Sequence, residues 1–327
     1  MSEVKLLTAF QMKLPLIQAG MGGVAGPELA AAVSNHGGLG VLAVYKSLPE
    51  DMLKNIEKTR ELTSGFFGIN VIPEVSGEAR LKQQIEAIVA SDERRIAVVF
   101  YGLPPFAVVN LLKMENIPVI IQIGTEAEAQ TAVEMGADFL VLQGIQAGGH
   151  HLGSQRTEQL FEAVAARGFD AGLIVAGGIA TGRDYAVYRQ MGASGCLCGT
   201  LFASALESSA HPRYKDMICQ AMPEDTIITN LYEIGWPGRQ HRVILNQTVK
   251  MGKSQPTHFI AKTVVDEKLY PVARFSAAAP TEHTQGEIDN MALYCGESCR
   301  NIHMVNSVSN IMDQFAAELM ESLGGKR

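Results

Sequence analysis

Val141-Leu-Gln-Gly-Ile-Gln-Ala-Gly-Gly-His-His-Leu-Gly153 is the stretch around which the chain is organised. The apolar run 139–142 has the composition of a buried strand. It stops at Gln143 and opens into a loop carrying Gly144, Gly148, Gly149 and Gly153. Glycine lets a backbone turn sharply and lets a flat or phosphorylated ligand come close. His150 and His151 stand at the tip of the turn, so the loop reads as a small-molecule site with an acid–base group beside it. The chain then returns as a helix over 157–166, which completes one strand–helix unit.

The same unit recurs on both sides of this loop. Upstream, 14–21 reads as an apolar strand ending in Gln-Ala-Gly-Met-Gly-Gly. The helix 27–35 follows, with Pro27 at its start and Gly37 and Gly38 beyond its end. Strands at 39–45, 66–72, 96–100 and 118–123 alternate with helices at 48–63, 78–90, 105–114 and 126–135. In the helix 78–90, Leu81, Ile85, Ile88 and Val89 recur at helical spacing. Downstream, 173–176 is a seventh strand and 195–198 an eighth. Thr181-Gly-Arg-Asp184 between them starts a helix in the manner of a capping box. Two helix-to-strand joints even share wording, Met135-Gly-Ala-Asp138 and Met191-Gly-Ala-Ser194. The strands are continuous apolar runs, as parallel strands buried on both faces require. A doubly wound open sheet would also alternate, but eight units without a second half favour an α/β fold of the (β/α)8 TIM barrel type.

The barrel is expected over 1–222. Residues 223–300 break the pattern and read as an insertion or small lobe over the barrel mouth, on the substrate side. Residues 301–327 return to the barrel through an amphipathic helix at 306–323.

Composition narrows the function classes. The chain has 327 residues, 47% hydrophobic and 19% charged, enough for a large core, and a barrel of about 250 residues can be one domain. A formal charge of -7 gives no electrostatic support for nucleic-acid binding. No apolar run approaches the roughly 18 residues of a membrane span, and the N-terminus lacks a signal-peptide core. Five cysteines fit a reducing compartment, so the cytoplasm is the expected location. Self-association into a homo-oligomer stays open.

Barrel active sites form at the carboxyl ends of the strands, with phosphate often held after strands seven and eight. Those ends are Ala176-Gly177-Gly178 and Gly199-Thr200, each followed by a helix whose free N–H groups favour an anion. Asn70, Gln122 and Gln143 end the third, fifth and sixth strands. Each amide offers a donor and an acceptor, which suits the edge of a heteroaromatic ring. No G-x-G-x-x-G follows a strand. His150 is the leading acid–base candidate, with His151 its rival, because spacing does not settle which ring points inward. No metal is expected: Cys295, Cys299 and His303 read as buried thiols plus an exposed histidine. Cys196 and Cys198 lie inside an apolar strand.

Gln143-Gly-x-x-Ala-Gly-Gly-His150, Ala176-Gly-Gly-Ile179 and Gly199-Thr200-x-Phe202 together resemble the nitronate monooxygenase family, formerly called 2-nitropropane dioxygenases. The resemblance extends to Gln18-Ala-Gly-Met21, Gly68-x-Asn70, Gln122-x-Gly124 and Trp236-Pro-x-x-x-His241-Arg242-Val243, and is weakest over 245–290. It implies an FMN-containing barrel that oxidises alkyl nitronates, such as propionate 3-nitronate, with O2 to a carbonyl compound and nitrite. Residue by residue, it implies Gly20 and Met21 along the flavin, and Asn70, Gln122 and Gln143 on its polar edges. Gly148 would approach the cofactor, and Ala176, Gly177, Gly178, Cys198, Gly199 and Thr200 would hold the phosphate. His150 would be the catalytic residue. Reductases of enoyl thioesters or quinones that use NAD(P)H and FMN share the glycine–histidine motif. They often carry Lys where Gln122 stands, which favours the monooxygenase. Tyr294-Cys-Gly-Glu-Ser-Cys299 matches the family's glycine-rich closing segment only loosely. A flavin-free barrel binding a phosphorylated metabolite is the reading from a different class.

Overall fold

Eight apolar runs become parallel strands: Leu16–Gln18, Gly40–Ala43, Phe67–Val71, Ile96–Tyr101, Val119–Ile123, Phe139–Gln143, Gly172–Ala176 and Gly195–Cys198. In this computed structural model, which describes residues 2–91, 93–265 and 268–324, they pair in sequence order around a ring. The first strand pairs with the eighth, and a single parallel bridge from Ile17 to Leu39 joins it to the second. This is the expected (β/α)8 barrel.

Alternate residues of each strand serve two cores. In the fourth strand Ala97 and Val99 point into the barrel, among Val41, Ile120, Val141, Ile174 and Leu197. Ile96, Val98 and Phe100 point outward against the helices. Both faces are dry, so no polar alternation survives in the sequence.

Two features depart from the sequence reading. The first strand is shorter than 14–21, because the N–H groups of Val24 and Ala25 both donate to the Met21 carbonyl and turn the chain there. Where the ladder between the first two strands is thin, the Gln18 side chain replaces it. Its Oε1 accepts from Val41 N–H at 2.9 Å and its Nε2 donates to the Val41 carbonyl at 3.1 Å. An unexpected helix, Ser2–Ala9, leads Leu6 and Phe10 under the barrel floor, where the Phe10 ring meets Phe139 at 5.5 Å. The stretch 223–300, expected as an insertion or small lobe, breaks the strand–helix alternation. It holds strands Thr226–Thr229 and His241–Ile244 and a hairpin of Phe259–Val265 with Lys268–Ala273. The closing helix is Val308–Gly324, packed on the helix Gly182–Gln190. Residues 266–267 of the expected lobe and 325–327 of the expected closing segment lie outside the described residues. Among the described residues no helix is long and apolar enough to cross a membrane.

Candidate active site

The glycine loop after the sixth strand is held from both ends. Gln143 donates from Nε2 to the His150 carbonyl at 2.9 Å and accepts the Leu152 N–H on Oε1 at 3.0 Å. The amide expected on a ring edge is therefore engaged with the loop's own backbone. Gln146, which the sequence did not single out, accepts the Thr157 N–H at 2.8 Å and its hydroxyl at 3.0 Å. Gly148 meets backbone: a Cβ there would lie 2.5 Å from Gly296 N and 2.7 Å from the Cys295 carbonyl carbon. Its close approach is to the C-terminal segment. The short strand Gly149–His150 pairs antiparallel with His241–Ile244, placing His150 opposite His241. Arg242 adds a second tie, from its guanidinium to the Ile145 carbonyl at 3.1 Å and the Thr226 hydroxyl at 2.9 Å.

The two candidate histidines differ sharply. His151 bonds the Ala147 carbonyl through Nε2 at 2.8 Å, so its ring closes its own turn. His150, 7% exposed, stacks on Trp236 with ring centroids 3.8 Å apart and 17° between planes. Tyr294 and His241 flank it at 5.3 and 5.0 Å, and its buried Nε2 has no partner among the described residues. Burial first, then the charges of His241, Lys46, His151 and Arg239, push its pKa down to about 2, so the imidazole is neutral near physiological pH. Trp236 is itself fixed: its Nε1 donates to Glu74 at 2.6 Å, and Glu74 accepts a bidentate pair from Arg239. Glu74, Tyr45 and Tyr101 escaped the sequence reading, and Trp236 and Tyr294 carried no role in it. Tyr45 and Tyr101 fall at or just past strand ends, and nothing local pairs any of these residues.

His151 and His241 are likewise lowered by burial from 6.5. Below about pH 6.5 the unfolded chain binds protons that the fold refuses. Stability is complete above that pH and falls progressively below it, by up to about 1.4 kcal/mol per pH unit for each histidine kept neutral. Urea midpoints should accordingly be lower at pH 5.5 than at pH 7.5. Equal midpoints would contradict the burial of these rings.

The remaining expected residues gather around the same barrel mouth. Gly20 packs so closely on Asn70 that a Cβ would overlap its side chain. Asn70, 4% exposed, donates from Nδ2 to the Val99 carbonyl at 3.1 Å and leaves Oδ1 buried without a partner among the described residues. Gln122 lies one residue before the end of the fifth strand, with no side-chain hydrogen bond to the described residues. Met21 Sδ and Ala19 lie 3.9 and 3.8 Å from a Cβ built on Gly199, ordinary contact distances. Cys198 is buried, and its carbonyl and that of Ala176 accept Ala19 and Gly144 N–H. Thr200 Oγ1 accepts the Gly296 N–H at 3.0 Å, joining the eighth strand's end to the C-terminal segment.

Gly177 and Gly178 hold φ of +107° and +79°, the left-handed region that favours glycine. Among the described residues, no acceptor meets the N–H groups of Gly177, Gly178, Gly199 and Thr200. The helix after the seventh strand is different, since its start is already capped. Asp184 accepts Ala180 and Thr181 N–H at 3.0 Å, and Glu318 accepts Gly182 N–H at 3.1 Å. An anion there would rest on the glycine corners and not on that helix start. Cys295 and Cys299 are buried free thiols and His303 is exposed.

A closed α/β barrel with a buried histidine over glycine-rich strand ends is the architecture of a TIM-barrel enzyme working at the carboxyl face of its strands. The sequence pattern of the nitronate monooxygenase family matches residues 4–318, and the chain belongs to that family, whose members are oxidoreductases. It is 29% identical to a probable nitronate monooxygenase of Bacillus subtilis (strain 168), over 96% of this chain and 98% of that one. Among solved structures it is similar to the nitroalkane oxidase of Streptomyces ansochromogenes, with a TM-score of 0.80 and 25% identity over 99% of this chain and 100% of the other. FabK from Thermotoga maritima is similar to the same degree, with a TM-score of 0.82 and 25% identity over 98% and 97% of the two chains. The activity is thus oxidation of nitro compounds.

Proposed function

We propose that the protein oxidises alkyl nitronates, propionate 3-nitronate being the example implied by the family, with O2 on bound FMN, to a carbonyl compound and nitrite. The observation that carries the choice of nitronate is the buried His150, stacked on Trp236 with its Nε2 unpartnered among the described residues. A group with a pKa of about 2 is far from the near-neutral value an efficient base needs, so it is poorly suited to taking the α-proton of a neutral nitroalkane. A substrate that arrives already deprotonated asks only for orientation and a hydrogen bond from the ring. The stack on Trp236 fixes the plane in which that bond can be made, and the aromatic surroundings exclude water.

The residues present fit a flavin. Asn70 Oδ1 is a buried acceptor in want of an N–H, and the Gln122 amide is free to serve a ring edge. The N–H groups of Gly177, Gly178, Gly199 and Thr200 offer a phosphate cradle. Once bound, FMN would supply the redox chemistry, which protein side chains do not. Gln143 and Gly148 would act at one remove, by shaping the loop that carries His150.

Two measurements test the proposal together. Oxygen uptake with freshly prepared nitronate should be fast and should show no acid limb from His150 between pH 6 and 9, while the parent nitroalkane reacts slowly. NADH added without oxygen should leave the flavin oxidised. Rapid bleaching by NADH, with no nitronate turnover, would replace this reading with that of a reductase.

A further inference from the structure

The segment Gly235-Trp-Pro-Gly-Arg239 hangs between two backbone anchors. Ile234 N–H donates to the Phe275 carbonyl at 3.0 Å, and the Gln240 carbonyl accepts the His151 N–H at 2.9 Å. Gly235 and Gly238 hold φ of +92° and +78°, so the segment bends sharply on either side of Trp236. Among the described residues, its only hydrogen bonds to a distant part of the chain go to Glu74. We propose that Glu74 is a positioning residue for His150, holding through Trp236 the plane in which the imidazole meets substrate. The proposal rests on the nitronate reading above, in which the His150 ring orients the substrate.

Glu74 stands on a firm base. It follows the third strand on the short helix Pro73–Ser76, whose Ser76 hydroxyl donates to the Tyr45 carbonyl at 2.9 Å. Its Oε1 accepts the Trp236 indole N–H at 2.6 Å, and Arg239 donates to both of its oxygens at 2.7–3.0 Å. Charge-assisted bonds of this kind are about twice as strong as neutral ones and fix direction as well as distance. The indole N–H is a donor only, so the ring turns toward the acceptor it finds. Tyr45 and Tyr101 pack on Trp236 with ring centroids 6.0 and 5.3 Å away, contacts that hold the indole in place without fixing its rotation. The Glu74 bond fixes that rotation, and the indole face then sets the imidazole lying 3.8 Å from it at 17°. The buried His150 Nε2 has no partner among the described residues to orient the ring in its place. As an ion pair alone, Glu74 and Arg239, with side chains 34% and 31% exposed, would add little to stability. The effect expected is on rate, because a misplaced reacting group costs up to about 10²-fold.

The test is read per bound flavin in Glu74→Ala and Glu74→Gln. Glu74→Ala should lower kcat with nitronate about tenfold and change KM little, because positioning acts on the reacting geometry. Glu74→Gln keeps an oxygen for the indole N–H and should recover most of kcat. Trp236 is the one tryptophan of the chain, so its emission follows the contact directly, red-shifted in Glu74→Ala and near wild type in Glu74→Gln. In NMR spectra with labelled histidine, the His150 ring protons are assigned by their absence from His150→Asn. They should lose the ring-current shift of the stacked indole in Glu74→Ala and keep it in Glu74→Gln. Wild-type kcat in Glu74→Ala, a fall in kcat with the His150 shift intact, or a Glu74→Gln as slow as Glu74→Ala overturns the proposal. Glu74→Met, of similar length and without an oxygen, takes the place of Glu74→Ala should that variant not fold. Should wild type turn over no nitronate, the oxidation reading falls and the His150 shift decides alone. Its loss in Glu74→Ala then supports the positioning role, and its retention rejects it.

Discussion

His150→Asn should lower kcat with nitronate by about 10²–10⁴ while the purified protein keeps its full complement of flavin. The asparagine side chain is smaller and polar, and it cannot stack on Trp236 as the imidazole does at 3.8 Å. The orientation of whatever hydrogen bond it offers is therefore lost. The expected flavin contacts lie elsewhere, at Asn70, Gln122 and the glycine corners, so binding should persist. His151→Asn is the informative partner. That ring bonds Ala147 within its own turn, so its loss should cost about 1 kcal/mol of stability and only a minor part of kcat. A larger kcat loss in His151→Asn than in His150→Asn would reverse the assignment of the reacting ring.

Gly148→Ala should damage both stability and flavin retention. The new Cβ would press on the backbone of Cys295 and Gly296, which has no side-chain freedom with which to yield. Overpacking of this kind typically costs about 1–3 kcal/mol. The consequence reaches further than the loop, because Gly296 also donates to Thr200 Oγ1 at the end of the eighth strand. Displacing Gly296 therefore loosens the histidine loop and the expected phosphate corner together. Thermal unfolding and flavin content, measured on one preparation, should both fall. A variant that melts with the wild type and stays fully flavinated would show that the contact between the glycine loop and the C-terminal segment is dispensable.

The barrel was legible before any coordinates because its cause is local. Buried parallel strands demand unbroken apolar runs, and helix ends demand glycine or a cap. The Thr181–Asp184 box forms as the residues suggest, with each side chain accepting the other's backbone N–H at 3.0 Å. The glycine corners after the seventh and eighth strands were legible for the same reason, since a strand-to-helix turn must be written within a few residues.

Other features depend on contacts between distant residues. Leu6 and Phe10 close the barrel floor because the interior needs apolar cover, yet the residues that they meet, such as Phe139, are far along the chain. Gln143 reads as a ligand-binding amide from its place at a strand end, and only the path of the loop shows that its two ends bond His150 and Leu152. The rivalry between His150 and His151 could not be settled from spacing, because adjacent residues in a tight loop point in unrelated directions. Pairing with His241 and the stack on Trp236 separate them, and those partners arrive from 223–300 with no periodicity to announce them. Unbroken apolar runs and apolar residues at helical spacing reveal the scaffold. The state of a buried side chain, its charge included, depends on which distant groups exclude water from it, and that emerges only when the chain is closed on itself.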